Sequence, residues 1–279
     1  MLLAATGVTV LSVDALLIRL AAAPAADIAF WRGLFIALSL TLVFRVRRRR
    51  WAWTALLEGG PPAAALIVGF GLMQLCFVGA ISNTRVANAV VILTAAPLFA
   101  AAFSGVFLRE WVPLRTWLAI GIALVGIVVV FGGSLGLGHW LGDLIALGGS
   151  VVVGANYTML RRTPDLSRLA AVAGGGLVCA LLIAPAAQPL SLDARSMTVL
   201  AVMGLVQMPL ALVLMTEATR YLPAAEATLF FIVEAILGTF WVWLILSEQP
   251  PPLTLVGGTL VIATLVLHSW MALRKHRAA

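Results

Sequence analysis

The chain has 279 residues, of which 62% are hydrophobic and only 10% charged, and its mean hydropathy is +1.09. Soluble domains carry about 25% charged residues, so a water-soluble fold is excluded and the chain reads as an integral membrane protein. The net charge of +7 is gathered in short basic patches, which act as orientation signals beside anionic lipid and do not point to a nucleic-acid partner.

Ten apolar segments follow, each near the roughly 20 residues with which a helix crosses about 30 Å of hydrocarbon. Helices are expected because such long, uniformly apolar runs lack the period-2 alternation of barrel strands. The first segment, at about 3 to 21, carries Asp14 near its middle. Its end, "LAAAPAAD", resembles a signal-peptide cleavage site, but no basic residue precedes the run and Asp14 interrupts it, so it is read as a membrane helix. The second, about 27 to 44, holds Trp31 and Gly33, and the third, about 62 to 81, holds Gln74 near its centre. Asn88 and Pro97 lie in the fourth, about 86 to 107, and Gly121 and Gly126 in the fifth, about 115 to 132. The sixth, about 141 to 160, ends on Asn156 and Tyr157; the seventh, about 168 to 187, contains the triplet Gly174 to Gly176. Gln207 and Pro209 occupy the eighth, about 197 to 216. The ninth, about 222 to 246, has Pro223 at its start, Glu234 in its middle and Trp241 beyond, and the tenth runs from about 253 to 272. Stretches such as "GGPP", "RRTPD" and "SEQPPP" supply turn chemistry between them.

Lys and Arg are distributed unevenly over the breaks. With a cytoplasmic N-terminus, the inner segments hold Arg45, Arg47 to Arg50, Arg109, Arg115, Arg161, Arg162, Arg168, Arg220, Arg274, Lys275 and Arg277, fourteen residues in all. The outer segments hold four: Arg19, Arg32, Arg85 and Arg195. The positive-inside rule then places both termini in the cytoplasm, and the chain in the cytoplasmic, or inner, membrane.

The same punctuation is written twice. "LREWVP" (Leu108 to Pro113) and "LSEQPP" (Leu246 to Pro251) share Leu, Glu and Pro at an offset of 138 residues, and they close the fourth and ninth segments. "VDALLIRL" matches "ANYTMLRR" at an offset of 142, which sets Asp14 opposite Asn156 and Arg19 opposite Arg161; "GLMQ" and "GLVQ" set Gln74 opposite Gln207. The repeat unit is five helices, an odd number, so the second copy enters the membrane upside down. The expected fold is an all-α integral membrane protein of ten transmembrane helices, arranged as two inverted five-helix repeats at residues 1–134 and 135–279. Inverted repeats around a mid-membrane site are the architecture of alternating access.

On these residues the chain resembles the EamA-type carriers of the drug/metabolite transporter superfamily. "GDLIALGGSVVVGANYTMLRR" (Gly142 to Arg162) is similar to the opening of that family's second repeat, and the two Leu-x-Glu closings with their Gly-containing following helices, and "PAADIAFWRGLFIA", are similar to its other elements. The resemblance implies a ten-helix, five-plus-five inverted carrier that exports amino acids, metabolites or drugs. Amino-acid exporters of the YddG type resemble it in overall shape.

An acid in hydrocarbon costs about 2.5–3.5 kcal/mol on insertion scales, so a retained one asks for a reason. Asp14, Gln74, Asn88, Asn156, Tyr157, Gln207 and Glu234 are the candidate polar lining of a central substrate site, with Trp31 and Trp241 as aromatic walls. The competing reading makes the amides interhelical glue. Asp14 and Glu234, the acids nearest mid-membrane, are the candidates for proton coupling. Pro97, Pro209 and Pro223 are candidate gating bends or static kinks. Glu217 is expected to pair with Arg220. Glu110 and Glu248, at helix ends on opposite faces, are expected to accept backbone hydrogen bonds from the helix that follows. Trp51, Trp53, Trp111, Trp117, Trp140 and Trp270 read as interface anchors, the glycines as points of close helix crossing, and Cys76 and Cys179 as packing residues.

No phosphate loop, HExxH, GxSxG or Cys/His cluster is present, so neither an enzyme, nor a metal site, nor a cofactor is expected. The functional expectation is a secondary transporter exporting small amphipathic solutes, aromatic or other apolar amino acids, by alternating access. The alternatives are a multidrug or other metabolite carrier of the same fold and, more distantly, a channel or membrane-embedded enzyme. The partners expected are a small-molecule substrate and the lipid bilayer. The sequence leaves the oligomeric state open, a monomer being consistent with it.

Overall fold

The computed structural model describes the backbone at residues 2–49, 51–107, 109, 113–134, 138–163, 165–218 and 224–277. The side chains at 2–4, 48, 55–57, 134, 161, 162, 215–218, 224–232, 269 and 271–277 fall outside the described set. Every regular element among the described residues is helical. In chain order these are α1 (Leu2–Ser12), α2 (Asp14–Ala21), α3 (Ala25–Arg48), α4 (Ala52–Glu58), α5 (Gly60–Asn83), α6 (Val86–Leu93), α7 (Ala96–Phe107), α8 (Leu114–Ser134), α9 (Trp140–Arg162), α10 (Arg168–Ile183), α11 (Ala194–Ala201), α12 (Met208–Ala218), α13 (Ala224–Leu246) and α14 (Pro252–Arg277). Among the described residues seven helical stretches are long and apolar enough to cross a membrane, and Val233–Leu246 and Pro252–His268 form shorter apolar helices.

Three of the expected spans are not plain helices. The first is broken between α1 and α2 at Val13, directly before Asp14. In the fourth, Pro97 has no N–H for the Leu93 carbonyl and its ring crowds that oxygen; α6 accordingly stops at Leu93, and a turn at Thr94 and Ala95 leads into α7. In the eighth, α11 and α12 are joined by a π-helical segment, Val202–Gln207, in which the Met208 N–H reaches back to the Met203 carbonyl. Pro209 follows immediately, and the wider turn absorbs the hydrogen bond that it cannot make. Two of the three expected proline bends thus coincide with real distortions; Pro223 lies outside the described residues.

Where helices touch, small residues set the distance. A Cβ placed on Gly33 of α3 would stand 2.6 Å from the Gly176 carbonyl oxygen of α10, and one on Gly176 would stand 2.6 Å from the Gly33 oxygen. The two backbones therefore cross in mutual contact, as small-residue packing in lipid requires. Gly126 of α8 and Gly257 of α14 make the same reciprocal approach, whereas Gly121 faces open space and plays no part in a crossing. The principal pairings are α3 with α10, α5 with α9 and α10, α8 with α14, α7 with α9, and α1 with α12 and α13; α6 also meets α13.

The bundle is apolar outside and keeps its polar side chains within a largely apolar core. Leu38, Leu42, Val128, Leu181 and Leu244 are exposed, while Asp14, Arg32, Gln74, Asn88, Asp143 and Gln207 are buried. That arrangement suits a hydrocarbon solvent, in which surface leucines cost nothing and each polar group must find its partners within the protein. Trp51, Trp53, Trp117, Trp140 and Trp270 are each about half exposed, in keeping with interface anchors; Trp111 lies outside the described residues. Both cysteines are free, with Cys179 buried against the Ala29 carbonyl.

Candidate substrate site and end network

Two polar clusters occupy the interior, and they differ in kind. The central one forms where the α1/α2 break faces α3 and α5. Arg32 Nη2 donates to Asp14 Oδ2 at 2.7 Å, an ion pair in which both side chains are almost wholly buried. Arg32 Nη1 reaches Gln74 Oε1 at 3.4 Å, and the guanidinium carbon lies 5.6 Å from the centre of the Phe77 ring. The cluster is incompletely bonded: Asp14 Oδ1, Arg32 Nε and Gln74 Nε2 are buried without a partner.

The break itself is lined by two further expected residues. Ending α1 at Ser12 leaves carbonyls near its C-terminus without helical donors. Gln207 Nε2 supplies one, donating to the Val10 oxygen at 2.9 Å, while its own Oε1 stays buried and unpartnered. Trp241 Nε1 donates to Ser12 Oγ at 3.0 Å. Glu234, on α13, is half-buried. Tyr157 has the Arg168 guanidinium 5.9 Å from the centre of its ring.

The second cluster lies at one end of the bundle. Glu248, in the segment between α13 and α14, accepts the Val86 N–H at 2.9 Å through Oε1 and faces Arg19 of α2 at 3.5 Å through Oε2. Arg19 also donates to the Thr84 carbonyl at 2.6 Å, and Arg85 donates to the Gln249 carbonyl at 3.2 Å. Thr84 Oγ1 donates to Asp143 Oδ1 at 2.6 Å; Asn88 Nδ2 donates to both Asp143 oxygens at 3.4 Å and accepts from Thr254 Oγ1. Six chain segments are joined in this way. Beside the network lies a cavity of about 260 Å³, lined among others by Arg19, Ser82, Asn83, Arg85, His139 and Glu248.

Of the expected site residues, Asp14 and Gln74 meet through Arg32, and Gln207 and Trp241 meet at the α1/α2 break; Glu234 is half-buried on α13 and Tyr157 packs against Arg168. Three stand elsewhere. Asn88 belongs to the end network. Trp31 donates its Nε1 to the Pro189 carbonyl at 3.0 Å, pinning α3 to the segment after α10. Asn156 packs its amide against the α5 backbone at Gly69 and leaves Nδ2 unpartnered. Glu248 does accept a backbone N–H, but from α6 and not from α14, the helix that follows it; Glu110 and the Glu217–Arg220 pair lie outside the described residues.

Arg32 and Asp143 were missed as site residues because an arginine near the start of a span and an acid at a helix N-terminus read as boundary charges. The usable signal was Asp14 itself: a carboxylate inside an apolar bundle calls for a cation on a neighbouring helix.

An apolar-surfaced helical bundle with seven described stretches long enough to cross a membrane is that of a polytopic membrane protein. The chain belongs to the EamA-like transporter family, whose profile matches residues 1–132 and 140–270. It is 26% identical over 257 residues to the pseudopaline exporter CntI of Pseudomonas aeruginosa (strain UCBPP-PA14), covering 87% of this chain and 85% of that protein. It is 23% identical over 179 residues to the uncharacterized transporter YdfC of Bacillus subtilis (strain 168), covering 62% of this chain and 58% of that one. A solved crystal structure superposes with a TM-score of 0.65 at 17% identity, over 98% of this chain and 97% of its own, a likeness of fold.

Proposed function

We propose that this protein is a secondary exporter of small amphipathic solutes, aromatic or other apolar amino acids, in which two inverted five-helix halves alternate access to the central cluster. The observation that carries the reading is the contrast along the bundle axis. Polar groups at the centre keep both donors and acceptors unpartnered, whereas in the network at the end of the bundle every carboxylate oxygen is bonded. With the charge distribution of the sequence, the end network lies at the outer face.

The pairings support the inversion. Exchanging each span for its counterpart in the other repeat carries the α5–α9 contact into the α1–α12 contact, and it carries α3–α10, α8–α14 and α6–α13 into themselves. The two stretches matched by the family profile support it too. Cysteines placed beside Glu110 and Glu248 are expected to label from opposite faces of the membrane; labelling from one face sinks the inverted arrangement.

Arg32 neutralises Asp14, which leaves Glu234 as the acid available for proton coupling. Counterflow of labelled phenylalanine in proteoliposomes tests the transport reading. Glu234→Gln should abolish accumulation driven by a pH gradient and leave exchange intact, since exchange moves no net proton. Wild-type accumulation that ignores an imposed pH gradient disposes of the coupling. A carrier of another metabolite is the second reading, favoured by the relative named as an exporter of pseudopaline.

A further inference from the structure

The central ion pair is made with one carboxylate oxygen where a guanidinium offers a two-pronged fork. Asp14 gives Oδ2 to Arg32 and keeps Oδ1 free; Arg32 keeps Nε free; Gln74, bonded through Oε1, keeps Nε2 free. Both charged side chains and Gln74 are at least nine-tenths buried. Orphaned polar atoms so deep in a protein call for an explanation, and these three form one connected cluster: one acceptor on an anion, and two donors, one of them on a cation.

Which ligand would complete it follows from charge. The Asp14 and Arg32 charges cancel in the ion pair. A lone anion would therefore leave surplus negative charge in a low dielectric. A lone cation would satisfy the free Asp14 oxygen, leave surplus positive charge and keep the Arg32 and Gln74 donors orphaned. A neutral ligand that carries both charges on groups joined to one carbon uses all three free atoms and adds no net charge.

We infer that the Asp14–Arg32–Gln74 cluster binds the head group of an α-amino acid as a zwitterion, its carboxylate on Arg32 and Gln74 and its ammonium on Asp14. The inference rests on the transport reading above and specifies the substrate class at that site. The side chain of the substrate then lies towards Phe77 and Trp241, and Arg32 is the residue that selects for the carboxylate.

The test is competition against counterflow of labelled phenylalanine by unlabelled phenylalanine, phenylalaninamide, phenethylamine and phenylpropionate. In the wild type, phenylalanine is expected to compete roughly tenfold or more better than each analogue, because every analogue lacks a charge that the site is built to bond. Arg32→Lys, which keeps the charge and loses the fork, should narrow the preference for phenylalanine over phenethylamine and preserve that over phenylpropionate. The neutral pair Asp14→Asn with Arg32→Gln, monodisperse on size exclusion, should lose both preferences. Equal competition by all four compounds in the wild type overturns the inference. So does an unchanged preference in the neutral pair or in Arg32→Lys, while transport itself stands. A wild type that carries none of the amino acids and exports other solutes removes the amino-acid reading and this one together.

Discussion

The two interior clusters are built from the same residue types, acids, arginines and amides, yet they are finished differently. In the end network every carboxylate and amide oxygen of Glu248, Asp143 and Asn88 has a donor, while Arg19 and Arg85 each keep Nε unpartnered. In the central cluster Asp14 and Gln207 each keep an oxygen unpartnered, and Arg32 and Gln74 each keep a nitrogen. An acceptor that has its donor holds the helices it joins in one arrangement; one left bare in a low dielectric is costly unless something else completes it. The difference between the clusters lies in these acceptors, although composition alone makes the two look alike.

The comparison can be broken most severely at its centre. Asp14→Ala alone leaves the Arg32 charge buried and uncompensated, a loss of about 3–5 kcal/mol, read as aggregation on size exclusion or a large fall in unfolding temperature. The neutral pair should recover most of that stability, since it removes both charges; a double variant as unstable as the single one would show that the ion pair itself holds the fold.

At the other end, Asp143→Ala removes the acceptor shared by Thr84 and Asn88, and with hydrogen bonds to a charged group at about 1.5–3 kcal/mol each it should lower stability by less than Asp14→Ala. Glu248→Gln is milder still, because the amide oxygen can keep the Val86 N–H and only the attraction to Arg19 is lost. The effect expected is conformational: a cysteine at Asn83 should label faster from outside as the end loosens. Unchanged labelling in both variants would mean that the network is no latch.

The smallest effect is expected at the N-cap of α11. Asp193 accepts the Ser196 N–H at 3.1 Å, and hydrogen bonding from the Ser196 side chain and then from that N–H holds its carboxyl below the ordinary aspartate range. Its contribution is therefore present above the pKa of the unfolded chain and is lost as pH falls through the lower folded value. Asp193→Ala should lower the unfolding temperature slightly at neutral pH and make no difference in strong acid; a pH-independent effect would remove the charge from the explanation.

Much of this was legible in the residues. Apolar runs of membrane-crossing length predicted helices because no water remains in hydrocarbon to satisfy an open backbone, and Pro97 and Pro209 predicted the bends because a missing N–H acts locally. Asp14, Gln74, Gln207 and Glu234 announced themselves as polar groups in apolar company. What the sequence could not settle was which of these groups meet. Asn88 looked like a site residue from its position near a span start, and only the docking of α6 against α9 and α14 tied it to Asp143 and Thr254. Arg32 looked like a boundary charge, and only the crossing of α3 against the broken α1/α2 helix set it on Asp14. Cost of burial is a property of one residue and can be read from sequence. Pairing depends on rotation and register between helices that are distant in the chain, and these are fixed by the Gly33–Gly176 type of close crossing in the folded bundle.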